Sequence, residues 1–168
     1  MRTLFLLRHG KSDRGPAEGD DRSRPLSPRG TRAAQAMGRF LARSGTIPDL
    51  ALTSPTVRTT ATLQLAMEAG QWSCEVASSD ALYAGVPEVL AELRRQNGTT
   101  GVLLVVGHEP TSSELTGLLI GGGAVRMPTA ALARVDLDID AWTDVVPRIG
   151  TLNYLVYPRL VRALDAGA

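Results

Sequence analysis

Residues 102–110 read VLLVVGHEP, and this stretch decides how the chain is expected to fold. An unbroken apolar run of this length is typical of a strand in a parallel sheet whose two faces are both covered by helices. The run ends in Gly107 and His108, so the strand carries an imidazole at its carboxyl end. In open α/β sheets the binding site lies beyond the carboxyl ends of the strands, which makes this turn a candidate site.

A second apolar run also leads directly into a histidine. Residues 3–10 read TLFLLRHG, and the run leads directly into Arg8, His9 and Gly10. His9 and His108 are the only two histidines of the chain. Imidazole is the side chain best suited to proton transfer or nucleophilic attack near neutral pH. Because both histidines follow predicted strands, we expect them to belong to one site.

The rest of the chain alternates between apolar runs and helical patterns. The spacing predicts strands at residues 4–7, 50–53, 74–77, 102–106, 130–137 and 152–155, with residues 142–147 as a hairpin partner of 130–137. It predicts helices from residue 28, at 57–69, 87–96 and 111–120, and from residue 159, with residues 13–24 as a loop. Ser27-Pro28 and Ser54-Pro55 resemble helix starts, with the serine as N-cap. This alternation predicts an α/β sandwich with a mostly parallel sheet.

Composition narrows the possible classes of function. The chain has 168 residues, which suits a single domain over residues 1–168. A net charge of +1 gives no reason to expect nucleic acid or a membrane as a partner. With Cys74 as the only cysteine and two histidines, no intrachain disulfide is possible and a metal site is disfavoured, so no cofactor is expected. The apolar start is too short for a signal peptide, and we expect a cytoplasmic monomer.

The arginines indicate what the site binds. Arg8 precedes His9, and Arg58 lies one turn into the helix that follows the strand at residues 50–53. If these arginines converge with the two histidines, the resulting pocket is strongly cationic and suits a phosphoryl group. A neutral imidazole can attack phosphorus, and arginines stabilise the charge of the transition state. A cation in the first turn of a helix also opposes the helix dipole, a conflict that a bound anion removes.

Three motifs resemble those of the histidine phosphatase superfamily. Residues 7–10 read LRHG, residues 54–59 read SPTVRT with Thr62 following, and residues 106–108 read VGH. The resemblance implies the three-layer α/β/α sandwich of the phosphoglycerate mutases and a phosphatase without a metal. It also implies that His9 is the phosphorylated nucleophile, and that Arg8, Arg58 and His108 hold the phosphoryl group.

Two further segments resemble one branch of that family. Residues 24–27 read RPLS with Gly30 following, and residues 8–12 read RHGKS, as in the SixA-type phosphohistidine phosphatases. The resemblance implies hydrolysis of phosphohistidine on a protein, or of another small phosphorylated substrate. Ser12 and Arg24 become candidate substrate contacts. The residues leave alternatives open, because Ser12 can instead shape the loop and Arg24 can pair with Asp20 or Asp21.

The chain departs from the family pattern at the residue that acts as general acid, the group that protonates the leaving group. Many members carry a glutamate in the middle of the chain, but residues 79–85 read SDALYAG and have none in register. Asp21 is the preferred substitute by position, and Glu109 is the second choice because it follows His108. Imidazole leaves more readily than an alkoxide, so weak acid catalysis favours a phosphoramidate substrate.

Two other functions remain as alternatives. One is a small-molecule phosphomonoesterase or mutase of the same superfamily, although a mutase is expected to carry the missing glutamate and longer insertions. The other is a non-catalytic phosphate-binding module, which often lacks one of the histidines or arginines that this chain retains. We expect specificity to depend on residues 13–24 and on the surroundings of residues 84–86.

Overall fold

The computed structural model describes residues 1–13 and 20–166, which form a six-stranded sheet with helices on both faces. The strands are β1 (Arg2–Arg8), β2 (Leu50–Thr53), β3 (Glu75–Ser78), β4 (Val102–Gly107), β5 (Leu132–Leu137) and β6 (Gly150–Val156). The helices are α1 (Pro28–Arg43), α2 (Val57–Gly70), α3 (Val86–Arg94), α4 (Thr111–Leu119) and α5 (Pro158–Ala166). Short 3₁₀ turns occupy Asp21–Ser23, Asp80–Tyr83 and Trp142–Asp144.

The sheet has the strand order β3-β2-β4-β1-β5-β6. The first four strands are parallel, and β5 and β6 continue the sheet in the antiparallel sense. This arrangement confirms the α/β prediction and the mostly parallel sheet. It also makes β1, β4 and β2 adjacent, so the three turns that carry the motifs lie at one edge of the sheet.

Alternate side chains of β1 enter two separate hydrophobic cores. Leu4 and Leu6 pack with residues of α3 and α4 on one face, whereas Phe5 and Leu7 pack with residues of α1, α2 and α5 on the other. β4 behaves in the same way, since its residues from Leu103 onwards are buried. Burial on both faces explains the unbroken apolar run and gives the three layers that the family resemblance implied.

One predicted element is wrong. Residues 142–147 do not pair with β5: Trp142–Asp144 is a 3₁₀ turn, and the antiparallel partner of β5 is β6. The reason is that Trp142 is fully buried, and its indole N–H donates to the Thr100 carbonyl over 2.7 Å. In a strand at the sheet edge, successive side chains would point to opposite faces of the sheet. The Trp142 side chain is instead fixed in the core by burial and by this hydrogen bond.

Of the two predicted helix caps, Ser27 is confirmed and Ser54 is wrong. Ser27 caps α1, since its hydroxyl accepts a hydrogen bond from the Gly30 N–H at 3.2 Å. The cap of α2 is Thr56 and not Ser54, because Thr56 Oγ1 accepts from the Thr59 N–H at 3.4 Å. The predicted loop at residues 13–24 lies partly outside the described residues, and its final part contains the Asp21–Ser23 turn.

α1 and α2 lie in close contact at Gly38. A Cβ added there would lie 1.9 Å from the Ala66 carbonyl oxygen, which belongs to the backbone of α2. We expect Gly38→Ala to lower the free energy of unfolding by about 1–3 kcal/mol, because the helices must separate to admit the methyl group. Urea unfolding followed by circular dichroism measures the change.

Gly98→Ala is the matched control, because a Cβ at that position meets nothing within 4 Å. Its free energy of unfolding is expected to stay within about 0.5 kcal/mol of the wild-type value. Equal losses in the two variants would contradict the close contact between the helices.

Candidate active site

The polar turns after β1, β4 and β2 enclose a cavity of about 440 Å³. Its lining includes Arg8, His9, Asp21, Arg58, Tyr83, His108 and Glu109. The rings of His9 and His108 lie 5.1 Å apart between their centroids. The structure therefore brings together the four residues that the sequence singled out, and places both acid candidates beside them.

His9 is held as a neutral imidazole. Its Nδ1 lies 2.7 Å from the Gly10 carbonyl oxygen, which can only accept, so Nδ1 carries the proton. Nε2 accepts from Arg58 Nε at 3.3 Å and therefore presents a lone pair. Burial lowers the pKa of His9 to about 4, and the charges of Arg58 and Arg8 act in the same direction against the Gly10 hydrogen bond. A neutral ring with a lone pair on Nε2 is the form that can act as a nucleophile.

His108 has the opposite tautomer. Its Nδ1 lies 3.3 Å from Arg58 Nη2 and accepts, so Nε2 donates to Ser54 Oγ at 2.9 Å. Tyr83 meets the ring edge to face, with 5.0 Å between centroids. Burial lowers the pKa of His108 to about 3, and the proximity of His9 and the charge of Arg58 act in the same direction. Sequence reasoning took Ser54 as a helix cap, but the structure makes it the hydrogen-bond partner of His108.

Arg58 joins the two histidines. Its side chain is only 7% exposed, and it donates to both imidazoles. Its remaining donors reach Asp21, through the backbone carbonyl and through Oδ2 at 2.7 Å. The anion that a cation in the first turn of α2 requires is therefore supplied here by the Asp21 carboxylate.

Asp21 has three hydrogen-bond partners around its carboxylate. The Tyr83 hydroxyl donates to Oδ2 at 2.8 Å, and Arg24 Nη1 donates to Oδ1 at 3.0 Å. The pKa of Asp21 lies well below its usual value, first because of the Tyr83 hydrogen bond and then because of Arg58. The carboxyl is consequently ionised at neutral pH and has no proton to donate in this arrangement. Sequence reasoning did not find Tyr83, although it lies in the segment examined for the missing glutamate.

Arg8 and Glu109 each have a buried atom without a hydrogen-bond partner among the described residues. Arg8 Nη1 donates to the Met127 carbonyl at 2.8 Å, but Arg8 Nε is unpaired, as is Glu109 Oε1. Burial lowers the pKa of Arg8, and the nearby charge of Glu109 opposes that shift. Buried polar groups are normally paired, so these two are suited to a partner that enters the cavity.

Ser12 and Arg24 lie outside the described lining of the cavity. Arg24 Nη2 donates to Ser12 Oγ at 2.9 Å, while the other end of the same guanidinium pairs with Asp21. Both residues therefore support the Asp21 turn, which agrees with two of the alternatives that the sequence left open. Direct contact of either residue with substrate stays a prediction.

Gly10 and Thr62 fix the turn that carries His9. A Cβ on Gly10 would lie 2.8 Å from the Gly30 carbonyl oxygen, so only glycine lets this turn lie against α1. Thr62 Oγ1 accepts from the Gly10 N–H at 2.9 Å and donates to the Arg58 carbonyl at 2.6 Å. One threonine thus ties the nucleophile turn to the helix that carries Arg58.

Comparison with known proteins identifies the family. The model of the histidine phosphatase superfamily (branch 1) matches residues 4–82. An uncharacterised protein of Mycobacterium tuberculosis is 33% identical over 165 residues, which cover 91% of this chain and all of that protein. The putative phosphohistidine phosphatase SixA from Nakamurella multipartita is 31% identical with a TM-score of 0.81, over 94% of this chain and 96% of that one.

The chain belongs to the histidine phosphatase superfamily. A further solved structure, the protein histidine phosphatase SixA complexed with tungstate, is 26% identical with a TM-score of 0.81, over 95% of this chain and 99% of that one. These likenesses confirm the SixA-type resemblance and the phosphoglycerate mutase-like fold, and they show that the protein is a phosphatase.

Two structural features are absent from the described residues. In residues 1–13 and 20–166, no three side chains of histidine, cysteine, aspartate or glutamate are grouped so as to hold a metal ion. In the same part of the chain, every helix is too short or too polar to cross a bilayer. The single-domain organisation, the cytoplasmic location and the monomeric state stay predictions.

The lowered histidine pKa values predict an unusual titration. We expect neither imidazole of the folded protein to titrate between pH 8 and 5.5, since the midpoints are about 4 for His9 and about 3 for His108. The unfolded chain binds the extra protons near pH 6.5, so the free energy of unfolding is expected to fall as the pH drops from about 6.5 to 4. NMR spectra of the imidazole Cε1–H groups measure both midpoints directly, because the chain has only two histidines.

The same spectra in concentrated urea provide the control, where both rings are expected to titrate near pH 6.5. A folded-state midpoint above about 6 for His9 would contradict the neutral nucleophile.

Proposed function

We propose that this phosphatase is metal-independent and works through a phosphohistidine intermediate on His9. The observation that carries the proposal is the neutral His9 ring, whose Nδ1 is tied to the Gly10 carbonyl and whose Nε2 carries the lone pair. Nucleophilic catalysis requires this tautomer, and the buried cations around it make protonation of the ring unfavourable.

The chemistry takes two steps at one pocket. His9 Nε2 attacks phosphorus, so a P–N bond forms while the bond to the leaving group breaks and its electron pair goes with that group. Water then attacks the phosphohistidine, the P–N bond breaks, and inorganic phosphate is released. Arg8, Arg58 and His108 stabilise the charge on the phosphoryl oxygens in both transition states.

Substrate binding requires the Asp21 carboxylate to release a hydrogen bond that it accepts from the Arg58 guanidinium. The Asp21 carboxylate holds the Nη2 donor of Arg58 at 2.7 Å, which is the kind of contact that a phosphoryl oxygen makes with arginine. A phosphoryl dianion competes for that donor with a larger charge. Its negative charge also favours protonation of His108, which then donates to the phosphoryl group.

We assign the general acid to Glu109 and not to Asp21, the residue that sequence position favoured. Asp21 is kept ionised by Tyr83 and Arg58, whereas Glu109 Oε1 has no hydrogen-bond partner in the described residues and the residue lines the cavity. A general acid must lie within reach of the leaving group, and Glu109 Oε1 has no competing hydrogen-bond partner among the described residues.

The substrate class that we propose is phosphohistidine carried on a protein. The likeness to SixA-type proteins supports it, as does the weak provision for acid catalysis. Imidazole needs less help to leave than an alkoxide, so such a site suits a phosphoramidate. The second candidate is a small-molecule phosphatase, which is favoured by a cavity near the active site that is lined by Lys11, Arg29, Arg126, Arg159 and Arg162. A purely phosphate-binding module is the third reading, and the intact set of histidines and arginines argues against it.

The nucleophile is tested by trapping the intermediate. A denaturing quench at alkaline pH, applied while the enzyme turns over a ³²P-labelled aryl phosphate, is expected to leave label on wild-type protein and none on His9→Ala, because the P–N bond of phosphohistidine survives in base and is hydrolysed in acid. The kcat/KM of His9→Ala is expected to fall by at least about 10³-fold, since no other group replaces the nucleophile. Added EDTA is expected to leave wild-type activity unchanged.

His108→Ala is the matched control, because it removes the only other histidine and leaves the nucleophile in place. Label is expected on that variant, although it accumulates more slowly. Full activity of His9→Ala, or activity that depends on a divalent metal, would overturn the proposed mechanism.

The general acid is tested with Glu109→Gln and Asp21→Asn on two substrates, an alkyl phosphate and a phosphohistidine peptide. Glu109→Gln is expected to slow the alkyl phosphate by about 10²-fold or more and the peptide much less, because only the alkoxide needs a full proton. Asp21→Asn is expected to change both rates in the same proportion and to lower the Ki of orthophosphate, since it releases Arg58.

Two outcomes would contradict this reading. A selective loss on the alkyl phosphate in Asp21→Asn would return the acid role to Asp21. A wild-type enzyme that prefers sugar phosphates by a wide margin would overturn the choice of phosphohistidine.

A further inference from the structure

A second cavity, of about 460 Å³, lies beside the active site and is lined by cations. We call it the basic cavity and define it by Lys11, Arg29, Arg126, Arg159 and Arg162. Its other lining residues include Tyr157 and Pro128, and none of its lining residues is acidic. Within residues 1–13 and 20–166, none of the five cations takes part in an ion pair.

Two helices begin at this cavity, and each has a positively charged residue in its first turn, where the helix dipole disfavours a cation. Arg29 lies in the first turn of α1 and Arg159 in the first turn of α5, and neither first turn contains an acidic residue. A helix N-terminus is the positive end of the dipole and stabilises anions. Five like charges and two positive helix ends in one cavity repel one another, and a bound anion offsets both.

The basic cavity adjoins the active site through a groove that shares lining residues with both. A groove of about 490 Å³ is lined by Arg8 and Glu109 at one end and by Lys11, Arg29 and Arg126 at the other. Arg8 and Glu109 also line the active-site cavity, and the three other cations also line the basic cavity. The shared side chains place the two cavities next to each other along this groove.

The size of the cavity favours a small ligand. Sites for small molecules are typically concave and of about 300–1,000 Å³, whereas a protein surface needs a wider and flatter patch. Arginine forks bind phosphate oxygens in pairs, so several arginines around one cavity suit a group with several phosphate oxygens. A compact polyphosphate chain satisfies both conditions.

We propose that the basic cavity binds the inner phosphates of a small polyphosphorylated substrate whose terminal phosphoryl group lies at His9. This activity goes beyond phosphohistidine hydrolysis and rests on the proposed function, because it uses the same nucleophile. His9 Nε2 forms a bond to the terminal phosphorus, and the P–O bond of the anhydride breaks with its electron pair on the bridging oxygen. Water then releases orthophosphate from His9, so one phosphoanhydride is hydrolysed for each turnover.

The leaving group agrees with the rest of the site. A phosphate oxygen of an anhydride leaves far more readily than an alkoxide and needs little protonation. The site therefore suits phosphoanhydrides for the same reason that it suits phosphoramidates. The cations of the groove also stabilise the negative charge that develops on the departing oxygen.

The test compares inorganic triphosphate with 4-nitrophenyl phosphate, which carries one phosphoryl group. Arg126→Gln combined with Arg162→Gln is expected to lower kcat/KM for triphosphate by at least about tenfold, because two charged contacts are lost. The same variant is expected to keep kcat/KM for 4-nitrophenyl phosphate within about twofold, since neither arginine contacts the phosphoryl group at His9.

The matched control is Arg32→Gln combined with Arg39→Gln. Both arginines are exposed on α1 and lie outside the basic cavity, so the net charge changes equally. This control is expected to leave both substrates within about twofold, because exposed charges are screened over distance. Equal losses of triphosphate turnover in the two double variants would contradict a specific subsite.

Binding to His9→Ala separates this proposal from the mechanism. Isothermal titration is expected to show triphosphate bound to His9→Ala at least about tenfold more weakly when Arg126 and Arg162 are also replaced. That result stands even if the phosphoenzyme trap fails. Triphosphate that binds no more tightly than orthophosphate would overturn the inference, as would a cavity variant that slows only a phosphohistidine-bearing protein.

Discussion

The buried Arg58 guanidinium is the interaction on which the site depends. It donates to His9 Nε2 and to His108 Nδ1, so one side chain from α2 sets the tautomers of two rings at the ends of β1 and β4. A buried cation is costly to desolvate unless it is paired. Asp21 supplies the pairing in this structure, and a phosphoryl group supplies it in the proposed reaction.

Burial is the main reason why both histidines are neutral, and the same cation adds to it. Burial removes the solvent that would stabilise an imidazolium, and Arg58 and Arg8 add repulsion, so the pKa of each ring falls. The pocket thus gains its positive charge from arginines, which stay protonated, and leaves imidazole free to act as a nucleophile. In the proposed reaction, the negative charge of a phosphoryl dianion would oppose the lowered pKa of His108 by favouring the imidazolium.

The carboxyl groups of the active site and the basic cavity beside it both bear on the choice of substrate. Asp21 is held as a carboxylate, and Glu109 is the carboxyl without a hydrogen-bond partner in the described part of the site. Substrates with a good leaving group need the acid least, which favours phosphoramidates and phosphoanhydrides over alkyl phosphates. The basic cavity adds a reason to expect several phosphates in one molecule, since its cations lie along the groove that leads from Arg8.

The sequence by itself determined the central sheet, the order of the motifs and the residues Arg8, His9, Arg58 and His108, because apolar periodicity and turn chemistry are properties of neighbouring residues. The predictions from the sequence were wrong where a contact between residues far apart in the chain determines the local structure. Ser54 does not cap α2, since its hydroxyl meets His108, 54 positions along the chain. Trp142 leaves the sheet edge for the core. Only the tertiary structure placed the Tyr83 hydroxyl on the Asp21 carboxylate and gathered five cations from separate segments into one cavity, because these contacts join residues that are distant in the sequence.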